Sequence, residues 1–220
     1  MLFEDLRSTD PATCENAVSA LGGLGDPAGI PILIRALKDP ATPVHIHVFG
    51  NVLGEIANET AVPWLTEALN DAHAVVRRRA AYALEVICTK ALDSPILLTH
   101  FPAPVYALAE GSLIEVLCDS DAGVRARAAH ALCRMERAQK YSRSIEQRRR
   151  VFLTLAEALK HEDDPRVQQI LIVGLERGFD SVDDRNALRA ILSRKPLLAK
   201  VRRLFVEDSV WDSFEENVGH

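Results

Sequence analysis

The chain has 220 residues, 48% hydrophobic and 26% charged, with 31 acids against 26 Lys and Arg and a net charge of −5. That balance excludes a disordered chain and one built overall for polyanions, while leaving ample apolar side chain for a core. An aromatic content of 5% argues against a base-stacking platform or an aromatic cofactor cage.

Met1 to Arg7 carries acids at Glu4 and Asp5 and no apolar run, so no secretory signal is expected. The longest charge-free stretch, Ser94 to Ala109, holds three prolines. It is shorter than the roughly 20 residues of a spanning helix, so no membrane segment is expected. Cys14, Cys88, Cys118 and Cys133 form no C-x-x-C pair and read as reduced residues of a cytoplasmic protein.

Residues 2–23 read as a degenerate first unit. From Leu24 the chain repeats itself: Leu24 to Asp39 aligns without a gap on Ile56 to Asp71, at an offset of 32. The ending recurs as Leu113 to Asp119 and Leu155 to His161. A turn and a second apolar segment follow each time, at Val44 to Leu53, Val76 to Leu84, Val124 to Leu132 and Val167 to Leu175. Val76, Ala80, Ala81 and Leu84 have helical spacing, and Pro31 and Pro63 sit where a first helical turn tolerates a missing N–H. The unit is helix, tight turn, helix, and such a pair cannot bury its apolar face alone. The spacing predicts one domain, an all-α right-handed solenoid of about five pairs at 2–23, 28–56, 60–88, 104–136 and 146–178. First helices are expected on the convex face and second helices on the concave one. Residues 183–218 should form a C-terminal cap, because Val206, Val210, Trp211 and Phe214 make one apolar stripe on an acidic helix.

Asp71 with Arg77, and Asp119 with Arg125, stand six residues apart across the intra-repeat turn. They predict a ladder in which each Arg reaches the acid of the neighbouring repeat. His45 replaces the Arg after Asp39, so the ladder should weaken there. The helical wheel turns His47, Asn51, Arg78, Tyr82, Glu85, His130 and Cys133 toward the concave solvent side, with Arg79 and Arg127 flanking. His47, Asn51, Arg78, Tyr82, Arg127 and His130 are therefore the candidate partner- or ligand-binding residues, because a mixed polar and aromatic row suits a protein groove. About sixteen extra residues after Ile87 form an insertion near 88–103. It either packs on the solenoid or projects Leu97, Leu98, Phe101 and Tyr106 to dock a partner. A second insertion near 136–146 lies inside a basic stretch, Arg134 to Arg150.

Catalytic signatures are absent. Gly22 to Asp26 is a helix end and turn rather than a phosphate loop, and there is no G-x-S-x-G or H-E-x-x-H. No two His stand at i, i+4, so no metal site is expected.

The phrases Ala20 to Pro31, Leu37-Lys38-Asp39, Val76 to Leu84 and Val124 to Leu132 resemble the phycobilisome-lyase-type HEAT-like repeat family, across roughly residues 14–178. That family holds E/F-type bilin lyase subunits, a phycobilisome degradation factor and many scaffolds. The resemblance implies a scaffold that binds a protein partner, such as a phycobiliprotein or a second lyase-type subunit. It also implies a transient open-chain tetrapyrrole, contacted by Tyr82, His130 and Arg78, with no resident cofactor. The alternative is a plain protein–protein interaction module without ligand. A lesser alternative is an alkylpurine DNA glycosylase-like DNA binder using Arg77 to Arg79, Arg125 and Arg127. Net acidity and few aromatics argue against nucleic acid.

Overall fold

The computed structural model describes residues 2–56, 59–93, 103–138 and 144–178, and every regular element among them is helical. The elements are α1 (Leu2–Asp5), α2 (Pro11–Gly23), α3 (Ile30–Leu37), α4 (Ile46–Ile56), α5 (Ala61–Ala68), α6 (Ala74–Asp93), α7 (Ala103–Glu115), α8 (Ala122–Ala138), α9 (Ile145–His161) and α10 (Pro165–Gly178). They form five successive pairs of an all-α solenoid. The expected C-terminal cap, 183–218, lies outside the described residues.

Local chemistry sets the helix ends. Asp10 accepts the Thr13 N–H at 2.9 Å to cap α2, and Ser144 and Gln147 exchange side-chain and backbone bonds in a capping box on α9. Gly25, at φ +62°, makes the left-handed turn out of the first pair. After the first helix of the second to fifth pairs, a carboxylate accepts the N–H two residues on: Asp39 from Ala41, Asp71 from His73, Asp119 from Asp121 and Glu162 from Asp164, at 2.8–2.9 Å. One compact bend therefore recurs in these four pairs.

The second helices α2, α4, α6, α8 and α10 pack on one another in sequence, whereas the first helices touch more sparsely. The second helices thus form the more closely packed layer, the one expected on the concave face. Their close approach uses glycine. A Cβ at Gly22 would overlap Val52, one at Gly50 would overlap Tyr82, one at Gly54 would lie 2.5 Å from Val86 Cγ1, and one at Gly174 would overlap Cys133. Between the layers runs one continuous core, in which Leu33, Leu37, Phe49, Leu53, Leu65, Leu84, Leu113, Leu132 and Phe152 are fully buried.

The repeats are stapled as the six-residue spacing predicts. Arg77 donates forked bonds to Asp119 at 2.7 Å and 2.7 Å, and its third nitrogen reaches the Asp71 and Ala72 carbonyls. Arg125 does the same with Glu162, at 2.7 and 2.8 Å, and with the carbonyls of Asp119 and Ser120. In the last repeat Gln168 takes the place of Arg and donates to the Glu162 carbonyl. Where His45 replaces Arg, an exposed Lys38–Glu67 pair at 2.8 Å joins the repeats instead.

Two expected boundaries move. Helix α6 continues to Asp93 rather than ending near 88, because Val86, Ile87, Cys88 and Thr89 are all buried by neighbouring helices, which favours a further turn. Helix α7 already begins at Ala103, with Pro104 tolerated in its first turn. Tyr106 is thus a helical residue buried in the core, which corrects its expected place on a docking loop. Leu97, Leu98 and Phe101 lie outside the described residues.

The Gly54 contact gives a sign-changing prediction. Alanine at a helical glycine gains about 1 kcal/mol of propensity, but overpacking against a stiff valine costs about 1–3 kcal/mol. Gly54→Ala should therefore destabilise the wild type by about 1 kcal/mol in urea denaturation. In a Val86→Ala background, where the nearest Val86 atom left is Cβ at 3.5 Å, the same change should stabilise. Equal effects in both backgrounds would contradict the close approach.

Candidate functional site

Packing decides which residues of the inner helices meet solvent. On α4, Val52 faces α2, Gly50 and Gly54 face α6, and Leu53 enters the core, which leaves Asn51 exposed and pointing away from the core. His47, one turn earlier, is partly buried. Its ring stands 4.8 Å from that of His45 and meets Tyr82 edge-on at 4.7 Å. The His45 N–H donates to Glu15 of α2 at 2.9 Å. On the other side of Tyr82, the Arg127 guanidinium of α8 lies over the ring at 4.9 Å. A single row of polar and aromatic groups thus crosses four inner helices.

Beside this row lies a buried carboxylate. Glu85 of α6 is fully buried, with His130 Nδ1 2.9 Å from one oxygen and Arg134 Nη1 3.2 Å from the other, both on α8. Burial pushes the Glu85 carboxyl up and is the largest single influence, but His130, Arg134 and Arg127 together outweigh it and hold the group below its ordinary value. The carboxylate is charged, and it fixes the rotamers of His130 and Arg134.

Of the six candidate residues, four are brought together: His47, Tyr82, Arg127 and His130. Asn51, one turn after His47 on the same helix, is exposed on the same face. Arg78 is diverted, with Nε and Nη2 each donating at 2.9 Å to Asp121 at the start of α8. Other expectations are overturned. Glu85 and Cys133 point not outward but toward the next inner helix, Cys133 against Gly174. The reason is that α6 and α8 are covered on both flanks, so the strip a helix can expose is narrower than an isolated wheel suggests. Arg79 is buried and donates back to the carbonyls of Leu37, Asp39 and Thr42, closing the end of α3 and the turn after it, and Arg127 is buried over Tyr82. Sequence reasoning missed the Glu85 node and Arg134. The available signal is Glu85 as the one charge in an otherwise uncharged run from Ala80 to Thr89.

Nucleophilic chemistry finds little support in this arrangement. Burial pushes the Cys88 and Cys133 thiols up to about 12, so neither ionises near neutrality. Among the described residues no group of His, Cys, Asp and Glu is placed to hold a metal, and no helix is long and apolar enough to cross a membrane. A groove of about 990 Å³ opens on the outer layer, lined by Ile114, Leu117, Cys118, Arg149 and Leu153. Two charged pairs stand within it, Arg125 with Glu162 and His161 with Glu157.

Comparison with known proteins bears on the fold. Residues 1–85 match the HEAT repeats family. An engineered protein, whose crystal structure comes from the Northeast Structural Genomics Consortium, is 20% identical at a TM-score of 0.54, covering 92% of this chain and 91% of that one. That likeness shows the shared α-solenoid architecture. A designed armadillo repeat protein in complex with the peptide (KR)4 is 16% identical, with a TM-score of 0.48, over 92% of this chain and 95% of that one. The complex of CpcE and CpcF of phycocyanin lyase from Nostoc sp. PCC7120 is 20% identical, with a TM-score of 0.32, over 86% of this chain and 91% of that one. A search of the curated proteins finds no significant match.

Because the folded-state pKa of Glu85 is depressed, its contribution to stability is fully present above its ordinary value of 4.5 and is lost as pH falls through the folded value. Glu85→Gln should therefore cost about 1–3 kcal/mol at pH 7 and flatten this part of the acid limb. Urea unfolding from pH 7 to pH 3 measures both. An acid limb as steep in the variant as in the wild type would remove Glu85 from the account.

Proposed function

We propose that this solenoid is a scaffold that binds a segment of a partner protein along the inner face of α4, α6 and α8. The observation that carries the reading is the row His45, His47, Tyr82 and Arg127, continued by His130 and Arg134 over Glu85. Ring contacts, a cation over an aromatic face and a buried counter-charge hold these side chains in place before any partner arrives. Ordering such side chains on binding would otherwise cost about 0.5–1.5 kcal/mol each, so a prearranged row is suited to recognition. Tyr and Arg are also the residue types that dominate interface energetics.

A finer reading rests on the resemblance of the repeat phrases. In it the partner is a phycobiliprotein or a second lyase-type subunit, and an open-chain tetrapyrrole is cargo held beside the client protein. The Arg134 guanidinium, with 44% of its side chain exposed, offers the chemistry that a propionate carboxylate requires, with partly exposed His130 beside it, on a face whose side chains Tyr82 helps to hold in place. In the plain interaction module no pigment binds. Nucleic-acid binding gains nothing from this face, where Tyr82 is already covered by His47 and Arg127.

Asn51 is exposed on the face and outside the row, so Asn51→Trp should obstruct the groove without touching the core. Proteins retained from host lysate by the immobilised wild type should bind the variant at least about tenfold more weakly, with an unchanged thermal melt. Undiminished retention would sink the inner-face reading. For the finer reading, the purified protein is mixed with a bilin and its visible absorption recorded. A shifted band that Tyr82→Ala diminishes supports the lyase-type role, and an unshifted spectrum leaves the plain module.

A further inference from the structure

We propose that the groove of the outer layer, between α7 and α9, is the docking site of a segment of this same chain, the apolar stripe Val206, Val210, Trp211 and Phe214. The proposal is independent of the inner-face reading. In the outer layer α3 packs on α5 and α5 on α7, whereas α7 and α9 scarcely touch. The stack thereby leaves a trough of about 990 Å³ where two outer helices would otherwise close on each other. Its α7 wall is small and uncharged: Gly111, Ile114 and Cys118 share one side at i, i+3 and i+7, and a Cβ on Gly111 would meet nothing. Its α9 wall carries Ile145, Arg149 and Leu153 at i, i+4 and i+8, with Ile145 and Leu153 exposed to 85% and 54%. Such a trough fits the nonpolar side of one further helix.

Charge does not choose the occupant. Arg149 and Arg150 are offset by Glu146 and Asp163 in the same trough, and its remaining acids, Asp119, Glu157 and Glu162, are engaged by Arg77, Lys160 and Arg125. Tethering chooses it. Helices α9 and α10 form a hairpin, so Gly178 at the end of α10 lies beside the start of α9, where the trough opens. Residues 179–205 separate Gly178 from Val206, and a coil of that length covers about 25–30 Å. Helix α9 is itself about 25 Å long, so the stripe reaches the whole trough. A tether of this kind presents the stripe at an effective concentration of about 1 mM, far above that of a second copy or a free partner in solution. Val206, Val210 and Phe214 recur at i, i+4 and i+8 with Trp211 beside them, while Asp208, Asp212, Glu215 and Glu216 fall on the opposite side. Docking therefore takes Trp211 and Phe214 out of water against Ile114 and Leu153 and leaves those acids solvated. A partner helix seeking the outer layer must first displace the stripe.

The test uses the full 220-residue chain carrying Trp64→Phe, which leaves Trp211 as its single tryptophan. Trp211 emission should be blue-shifted and shielded from acrylamide, at every protein concentration. Leu153→Glu changes an exposed side chain of the trough and should move the emission to that of a solvated indole, with an unchanged thermal melt. Cys118 gives a second readout, because it is exposed in the trough while Cys14, Cys88 and Cys133 are buried. Its thiol should react with an aromatic disulfide reagent at least about tenfold faster once Trp211→Ser and Phe214→Ser release the stripe. A solvated Trp211 before any change to the trough would overturn the proposal. So would a shielded Trp211 that ignores Leu153→Glu, the result expected if the stripe only caps the last pair, or Cys118 reactivity that the two serine substitutions leave unmoved. Shielding that grows with protein concentration would assign the trough to a second copy and overturn it equally.

Discussion

Each helix pair in this chain has an apolar face that only the next pair can cover, and the remaining features follow from how closely those pairs must approach. The inner helices come nearest. Gly22, Gly50, Gly54 and Gly174 admit Val52, Tyr82, Val86 and Cys133 where a methyl group would collide. Burial stabilises non-directionally, so it brings the pairs together without selecting a register. The directional part falls to guanidinium groups. Arg77 and Arg125 each grip their own turn and the acid of the following repeat, so a slip along the stack would break several forked bonds at once.

The same closeness accounts for the buried charges. Arg79 sinks into the stack because the carbonyls of Leu37, Asp39 and Thr42 converge where α3 ends, and a guanidinium can satisfy all three. Glu85 sits between α6 and α8 because His130 and Arg134 from the next repeat meet it there. A buried ion pair adds little net stability relative to a well-packed apolar substitute, but it is intolerant of mispairing. These groups act on register and on side-chain placement more than on total stability. Their effect reaches the surface, since the orientations of His130, Arg134 and Tyr82 on the inner face are consequences of what lies beneath them.

That coupling is what suits the inner face to the proposed recognition. Aromatic and cationic groups are held by contacts with neighbouring repeats, so the face depends on the integrity of the stack rather than on any one helix. A bilin-handling role and a plain interaction role would use the same prearranged groups. They differ in what is laid across them.

The repeat was legible in the sequence because it is written in local terms: a 32-residue offset, helical apolar spacing, prolines at first turns and an acid opening each bend. The staple was legible too, since Asp71 with Arg77 and Asp119 with Arg125 keep a fixed separation whatever the stack does. The end of α6 was not, because Val86 to Thr89 continue the helix only under cover from other repeats. Nor was the fate of single side chains on the inner face. One wheel places Arg78, Tyr82 and Glu85 together toward solvent, yet Arg78 turns to Asp121, Tyr82 is wedged over Gly50, and Glu85 is fully buried. The sequence by itself determined the helix pairs of the described residues and the order in which they stack, because those depend on contacts within about one repeat. Only the tertiary structure decided which polar groups are spent on holding repeats together and which remain for a partner, because the two flanking helices, distant in sequence, set how much of each inner helix stays exposed.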